Sequence, residues 1–154
     1  MTKPSTDRIE RQIEIKAPVS RVWKALTDHK EFGQWFRVNL ESPFVPGKLT
    51  RGKITYPGYE HVVMEVLVHK IDPERYFAFY WHPYAVDPAV DYSKEDRTLV
   101  EFRLEQTTAG TLLQVTESGF DAIPASRRAE AFRMNSGGWE QQLRNIQAYA
   151  SKPV

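Results

Sequence analysis

Glu117 is the residue in this chain whose type and position most invite chemistry. The run GTLLQVTESGF, from Gly110, reads as a strand. Side chains alternate along a strand, so Leu113, Val115 and Glu117 share one face. A carboxylate on an otherwise apolar face has two fates. Burial without a partner raises its pKa, and a nearby cation lowers it. Arg51, Lys53 and His82 are the candidate partners. A carboxyl perturbed in this way suits general acid–base work, so Glu117 is the candidate catalytic residue. The competing reading puts it at the strand end, reaching water or bonded to backbone donors near Gly119.

The same parity gathers apolar side chains on other strands. Val100, Phe102 and Leu104 share a face, as do Phe77, Phe79 and Trp81, and Val62, Met64, Val66 and Val68. An aromatic-walled interior of this kind could hold a small hydrophobic or aromatic molecule. The candidate ligand-binding set is Trp35, Met64, Phe79, Trp81, His82, Phe102, Glu117, Phe132 and Trp139. Plain core filling is the competing reading, since aromatic side chains bury much area. His29, His61, His69 and His82 have no metal-ligand spacing, so no metal is expected. With no Cys there is neither disulfide nor thiolate chemistry, which fits a reducing cytoplasm. The chain carries no phosphate loop, dinucleotide fingerprint, HExxH or Ser–His–Asp arrangement, and no cofactor is expected.

The stretch NSGGWEQQL, from Asn135, adds a puzzle. It sits inside a strong helix pattern from about Ala125 to Ala150. Gly137 and Gly138 there should each cost about 1 kcal/mol relative to alanine. Either they let the helix approach the sheet closely, or they leave room for a ligand beside Trp139.

These side chains need elements to position them. The alternation in RIERQIEIK gives a first strand, and APVSRVWKALTD and HKEFGQWF give two short helical segments. A strand follows from about Lys48 to Tyr56, then HVVMEVLVHKI and the aromatic RYFAFYWH. LVEFRLEQT and GTLLQVTESGF form a hairpin around Ala109-Gly110. The short turns predict a mostly antiparallel sheet of six or seven strands. The helix stripe Phe132, Ser136, Trp139, Leu143, Ile146 and Ala150 should cover its concave face. Residues 83–96 are long for a hairpin connection, either a lid or a solvated excursion, and SRRAEAFR reads as a solvated helix face.

Composition excludes other classes. The 154 residues fit one domain, 1–154. Net charge is +1, and no apolar run is long enough to span a bilayer, so neither nucleic-acid binding nor membrane insertion is expected. The opening MTKPSTDRIER has no apolar signal core.

The segments IEIKAPVSRVWKALTD, DPERYFAFYWHP, TLVEFRLEQTTAGTLLQVTESGF and GGWEQQLRNI, in that order, resemble the START-like (SRPBCC) superfamily. Within it, they are similar to the activator of Hsp90 ATPase homologue (AHSA1-like) group. The resemblance implies an α+β helix-grip (START-like/Bet v 1-like) fold, a curved antiparallel sheet around the C-terminal helix with two short helices after the first strand. It also implies a pocket at the contact of helix and sheet. Three functions stay open: a cytoplasmic binding domain for a small hydrophobic or aromatic ligand, a cyclase- or hydratase-like enzyme using Glu117, and an Hsp90-type chaperone-interacting stress protein. The third ranks last, because the resemblance is to one domain of the eukaryotic cochaperone and leaves no room for its additional N-terminal domain. A homodimer also stays open.

Overall fold

A computed structural model describes residues 8–152. The opening MTKPSTD of the N-terminal reading lies outside the described residues. Strand β1, Arg8–Ile15, leads into helix α1, Val19–Thr27, and helix α2, His29–Phe36. The strands that follow are β2 (Val38–Leu40), β3 (Leu49–Ile54), β4 (Val63–Asp72), β5 (Tyr76–Trp81), β6 (Thr98–Gln106) and β7 (Thr111–Ser118). Helix α3, Ala125–Ala150, closes the chain.

One seven-stranded sheet results, in the order β1-β7-β6-β5-β4-β3-β2, with every neighbouring pair antiparallel. The first strand pairs with the last, and the rest form a meander. This is the helix-grip α+β fold that the element order predicts.

The short helices have local causes. Pro18, with φ −61°, precedes α1 and has no N–H to orphan. Asp28 ends α1 and caps α2, its Oδ1 accepting from the Lys30 and Glu31 amides at 2.9 and 3.2 Å. The indole of Trp35 donates to the Ala25 carbonyl at 2.8 Å and locks α2 onto α1. Arg37 ends α2 in the left-handed conformation and turns the chain into β2.

The core lies between the sheet and the three helices. On β7, Leu113, Val115 and Glu117 are all buried, as are Val100, Phe102 and Leu104 on β6 and Phe77 and Phe79 on β5. From α3 the core takes Ala131, Trp139, Leu143, Ile146 and Ala150. Phe132 is half-buried against Phe120, its ring centroid 5.1 Å away.

Candidate functional site

Sheet register brings Glu117 to its partners. On β6 it stands opposite Val100, which stands opposite Phe79 on β5. Thr98, two residues before Val100, stands opposite Trp81. Thr98 and Trp81 therefore share the inner face with Glu117, Thr98 as its diagonal neighbour and Trp81 one strand further on. Gly119, at φ 99°, ends the strand just beyond, a conformation that side chains with a Cβ rarely adopt.

The carboxylate is fully buried, and four side chains donate to it. Trp81 Nε1 reaches Oε2 at 2.8 Å, and Thr98 Oγ1 reaches the same oxygen at 2.5 Å. Trp139 Nε1 reaches Oε1 at 2.8 Å, and Asn135 Nδ2 reaches Oε1 and Oε2 at 2.9 and 3.2 Å. Asn135 and Trp139 lie four residues apart on α3, the spacing that puts two side chains on one helix face.

The expected cationic partners are elsewhere. Arg51 pairs with Glu65 at 3.2 Å with more than half of its side chain exposed, and Lys53 is also exposed. His82 Nε2 bonds the Glu95 carbonyl at 3.1 Å. Outward parity on β3 sends Arg51 and Lys53 away from the core. Among the described residues no cation pairs with Glu117. The strand-end reading, with Glu117 in water or held by backbone near Gly119, also gives way to this side-chain cage. Burial pushes the Glu117 pKa above its ordinary value, while the four donors pull it down without cancelling the burial.

A cavity of about 540 Å³ lies beside this cage. Its apolar walls include Phe36, Met64, Trp81 and Met134, and Asn135 and Gly138 on α3 also border it. Residues 84–86 and 90–93 form a further wall, so the segment after β5 borders the cavity, while residues 87–89 stand exposed to solvent. Tyr84 in that segment has φ 49°, a strained conformation for a residue with a side chain. Arg127 holds the segment to α3. Its Nε donates to Glu95 at 2.8 Å, its Nη1 donates to the Pro83 carbonyl at 2.7 Å, and its guanidinium lies 4.7 Å from the Tyr92 ring centroid. His61 Nε2 meets the Val86 carbonyl at 3.0 Å from the other side. The reading of SRRAEAFR as a solvated face therefore fails at Arg127, whose side chain is mostly buried.

The nine candidate residues divide. Met64, Trp81 and His82 line the cavity. Trp35, Phe79, Phe102, Glu117, Phe132 and Trp139 stand behind its wall or elsewhere in the core. Trp139 touches the wall from within, its ring centroid 5.5 Å from Trp81 and 6.4 Å from Phe36. The glycines do not serve close packing. A Cβ built on Gly137 or Gly138 meets nothing within 4 Å. Gly138 instead opens the α3 side of the cavity next to Asn135.

Thr98 and Asn135 were not among the candidate residues. Thr98 has the parity of Val100, and Asn135 precedes Trp139 by four, so both signals were present. For residues 83–96 the length of the connection left lid and solvated excursion both open, and Tyr84 and Tyr92 from it line the cavity.

Several solved structures share the fold. Protein MLL2253 from Mesorhizobium loti is 25% identical, with a TM-score of 0.72, over 92% of this chain and 95% of that one. DynU16, described as a putative protein in the dynemicin biosynthetic locus, is 24% identical with a TM-score of 0.71. That match covers 93% of this chain but 46% of DynU16. The solution structure of the Aha1 dimer from Colwellia psychrerythraea is 18% identical with a TM-score of 0.69, over 95% and 98% of the two chains. No similar sequence was found among curated proteins. The sequence model of the family described as Activator of Hsp90 ATPase homolog 1-like protein matches residues 16–151, and the chain belongs to that family.

Proposed function

We propose that this chain binds a small hydrophobic or aromatic molecule in the cavity bounded by α3, the β4–β5 side of the sheet and residues 84–93. One observation carries the reading. A void of about 540 Å³ with a mainly apolar wall falls within the size of small-molecule sites, and it adjoins a buried polar cage. Trp81 and Asn135 belong to both. Glu117 then acts as a positioning residue. It fixes the indole and the amide that face the cavity and does not border the cavity itself.

The enzyme reading has less support. A general acid or base must come within hydrogen-bond reach of the proton it moves. Both Glu117 oxygens are already occupied by protein donors, behind Trp81 and Asn135. The chaperone reading rests on the family description alone.

The test uses the neutral fluorophore Nile red. Saturable binding at one site, displaced by naphthalene derivatives and weakened by Gly138→Leu, supports the proposal. Absence of saturable binding, or binding untouched by Gly138→Leu, refutes it.

A further inference from the structure

Asn135 is the one α3 residue that joins the cage to the cavity, and the cage fixes which way its amide points. Trp81 and Trp139 are donor-only groups, and each places an N–H on a different Glu117 oxygen. Asn135 Nδ2 lies within 2.9 and 3.2 Å of both oxygens. Turning the amide over would set its oxygen against two carboxylate oxygens, so the NH2 must face Glu117. The remaining hydrogen-bonding atom, Oδ1, receives no hydrogen bond from the described residues. The hydroxyls of Tyr56, Tyr59 and Tyr84 also border the cavity, but nothing among the described residues fixes their orientation as Glu117 fixes the Asn135 amide. Several other polar groups of the wall are already engaged. His82 meets the Glu95 carbonyl, the Tyr92 hydroxyl accepts from the Asp87 amide, Glu65 pairs with Arg51, and Gln142 Oε1 accepts from Asn145.

We propose that Asn135 Oδ1 is the acceptor that reads the ligand, so the cavity selects apolar or aromatic molecules bearing a hydroxyl or N–H donor. The proposal rests on the ligand-binding reading above and narrows it to one chemical class. Glu117 serves it at one remove by holding the amide in a single orientation. A ligand of the same shape without a donor leaves Oδ1 dry and unpaired, and that difference generates the selectivity.

The experiment displaces Nile red from the wild-type protein with 2-naphthol and with 2-methoxynaphthalene. The two share an aromatic body, and only the first can donate. The methyl ether is the more apolar, so burial alone favours it. The expected result is that 2-naphthol binds about threefold to tenfold tighter, the worth of one hydrogen bond, and that this preference disappears in Asn135→Ala. Equal displacement by both in the wild type, or stronger displacement by the ether, overturns the proposal and leaves the ligand-binding reading standing. A preference that survives in Asn135→Ala assigns the acceptor elsewhere and also overturns it. Failure of Nile red to bind the wild type removes the ligand-binding reading and this proposal with it. If Asn135→Ala does not fold, the side-chain amide resonance of Asn135 in the wild type decides: it should shift further with 2-naphthol than with 2-methoxynaphthalene, and equal shifts overturn the proposal.

Discussion

Trp81 and Trp139 stack with ring centroids 5.5 Å apart and donate their indole N–H groups to opposite oxygens of one buried carboxylate. One indole comes from the sheet and the other from α3, so Glu117 joins the two layers of the fold at the cavity wall. Its anchor is a set of neutral donors, and the predicted effects of substitution follow from that.

Replacing Glu117 with an apolar residue should be costly. A buried acid held by a cation can often be exchanged for a well-packed apolar residue at no loss. Here Glu117→Leu would orphan the N–H groups of Trp81 and Trp139 and leave Thr98 and Asn135 without their acceptor. Each unsatisfied buried donor costs about 1–3 kcal/mol, partly offset by removing the buried charge. Urea unfolding should show a net loss of about 2 kcal/mol or more. A neutral or stabilised Glu117→Leu would show that the donors find other partners.

The pH dependence has a definite sign. The folded-state pKa of Glu117 is raised above its unfolded value, chiefly by burial. Between those two values the native state holds the proton that the unfolded state has released. The contribution of Glu117 is therefore most favourable at and below the ordinary carboxylate range. It declines as pH rises through the folded-state pKa. Subtracting the stability profile of Glu117→Gln from that of the wild type should leave a curve that falls with rising pH. A difference that rises with pH would mean the four donors outweigh burial.

The helix glycines give an independent check. Gly137 and Gly138 sit in the interior of the 26-residue helix with open space around each missing Cβ. Gly137→Ala should stabilise the protein by about 1 kcal/mol through helix propensity. The alanine at 138 should stabilise it too, while Gly138→Leu should reduce ligand uptake by entering the cavity. Thermal unfolding of both alanine variants tests this, and destabilisation by either would reinstate the close-packing explanation.

Arg127 should control access. It bonds Glu95 and the Pro83 carbonyl and lies against Tyr92. Arg127→Ala should speed amide exchange across residues 84–93 and accelerate probe release, with global stability reduced by about 1–2 kcal/mol. Unchanged exchange in that segment would show that other contacts hold it.

Much of the fold was legible because it rests on periodicity. Period-two alternation placed Leu113, Val115 and Glu117 inward, and the spacing of Trp139, Leu143, Ile146 and Ala150 marked the buried stripe of α3. Strand β2 was not legible, because three residues carry no period. The site was harder. Its donors come from β5, β6 and α3, and only the tertiary register makes them converge. Long-range attraction suggested Arg51 and Lys53, but strand parity on β3 turns both outward. The cavity also lies further from the aromatic core than the ring pattern implied. Phe79, Phe102 and Trp139 fill the space under the helix, which leaves the opening beneath residues 84–93.

Occupation of this cavity by a small, mainly apolar molecule should be visible residue by residue in chemical-shift mapping. Titrating 2-naphthol into isotopically labelled protein should shift the Trp81 indole N–H, the Asn135 side-chain amide, the Gly138 backbone amide and the methyl groups of Met64 and Met134. Resonances of the outer sheet face, such as Gln12 and Gln114, should stay still. No shifts at saturating ligand, or shifts confined to residues away from the cavity, would mean that the cavity is not a binding site.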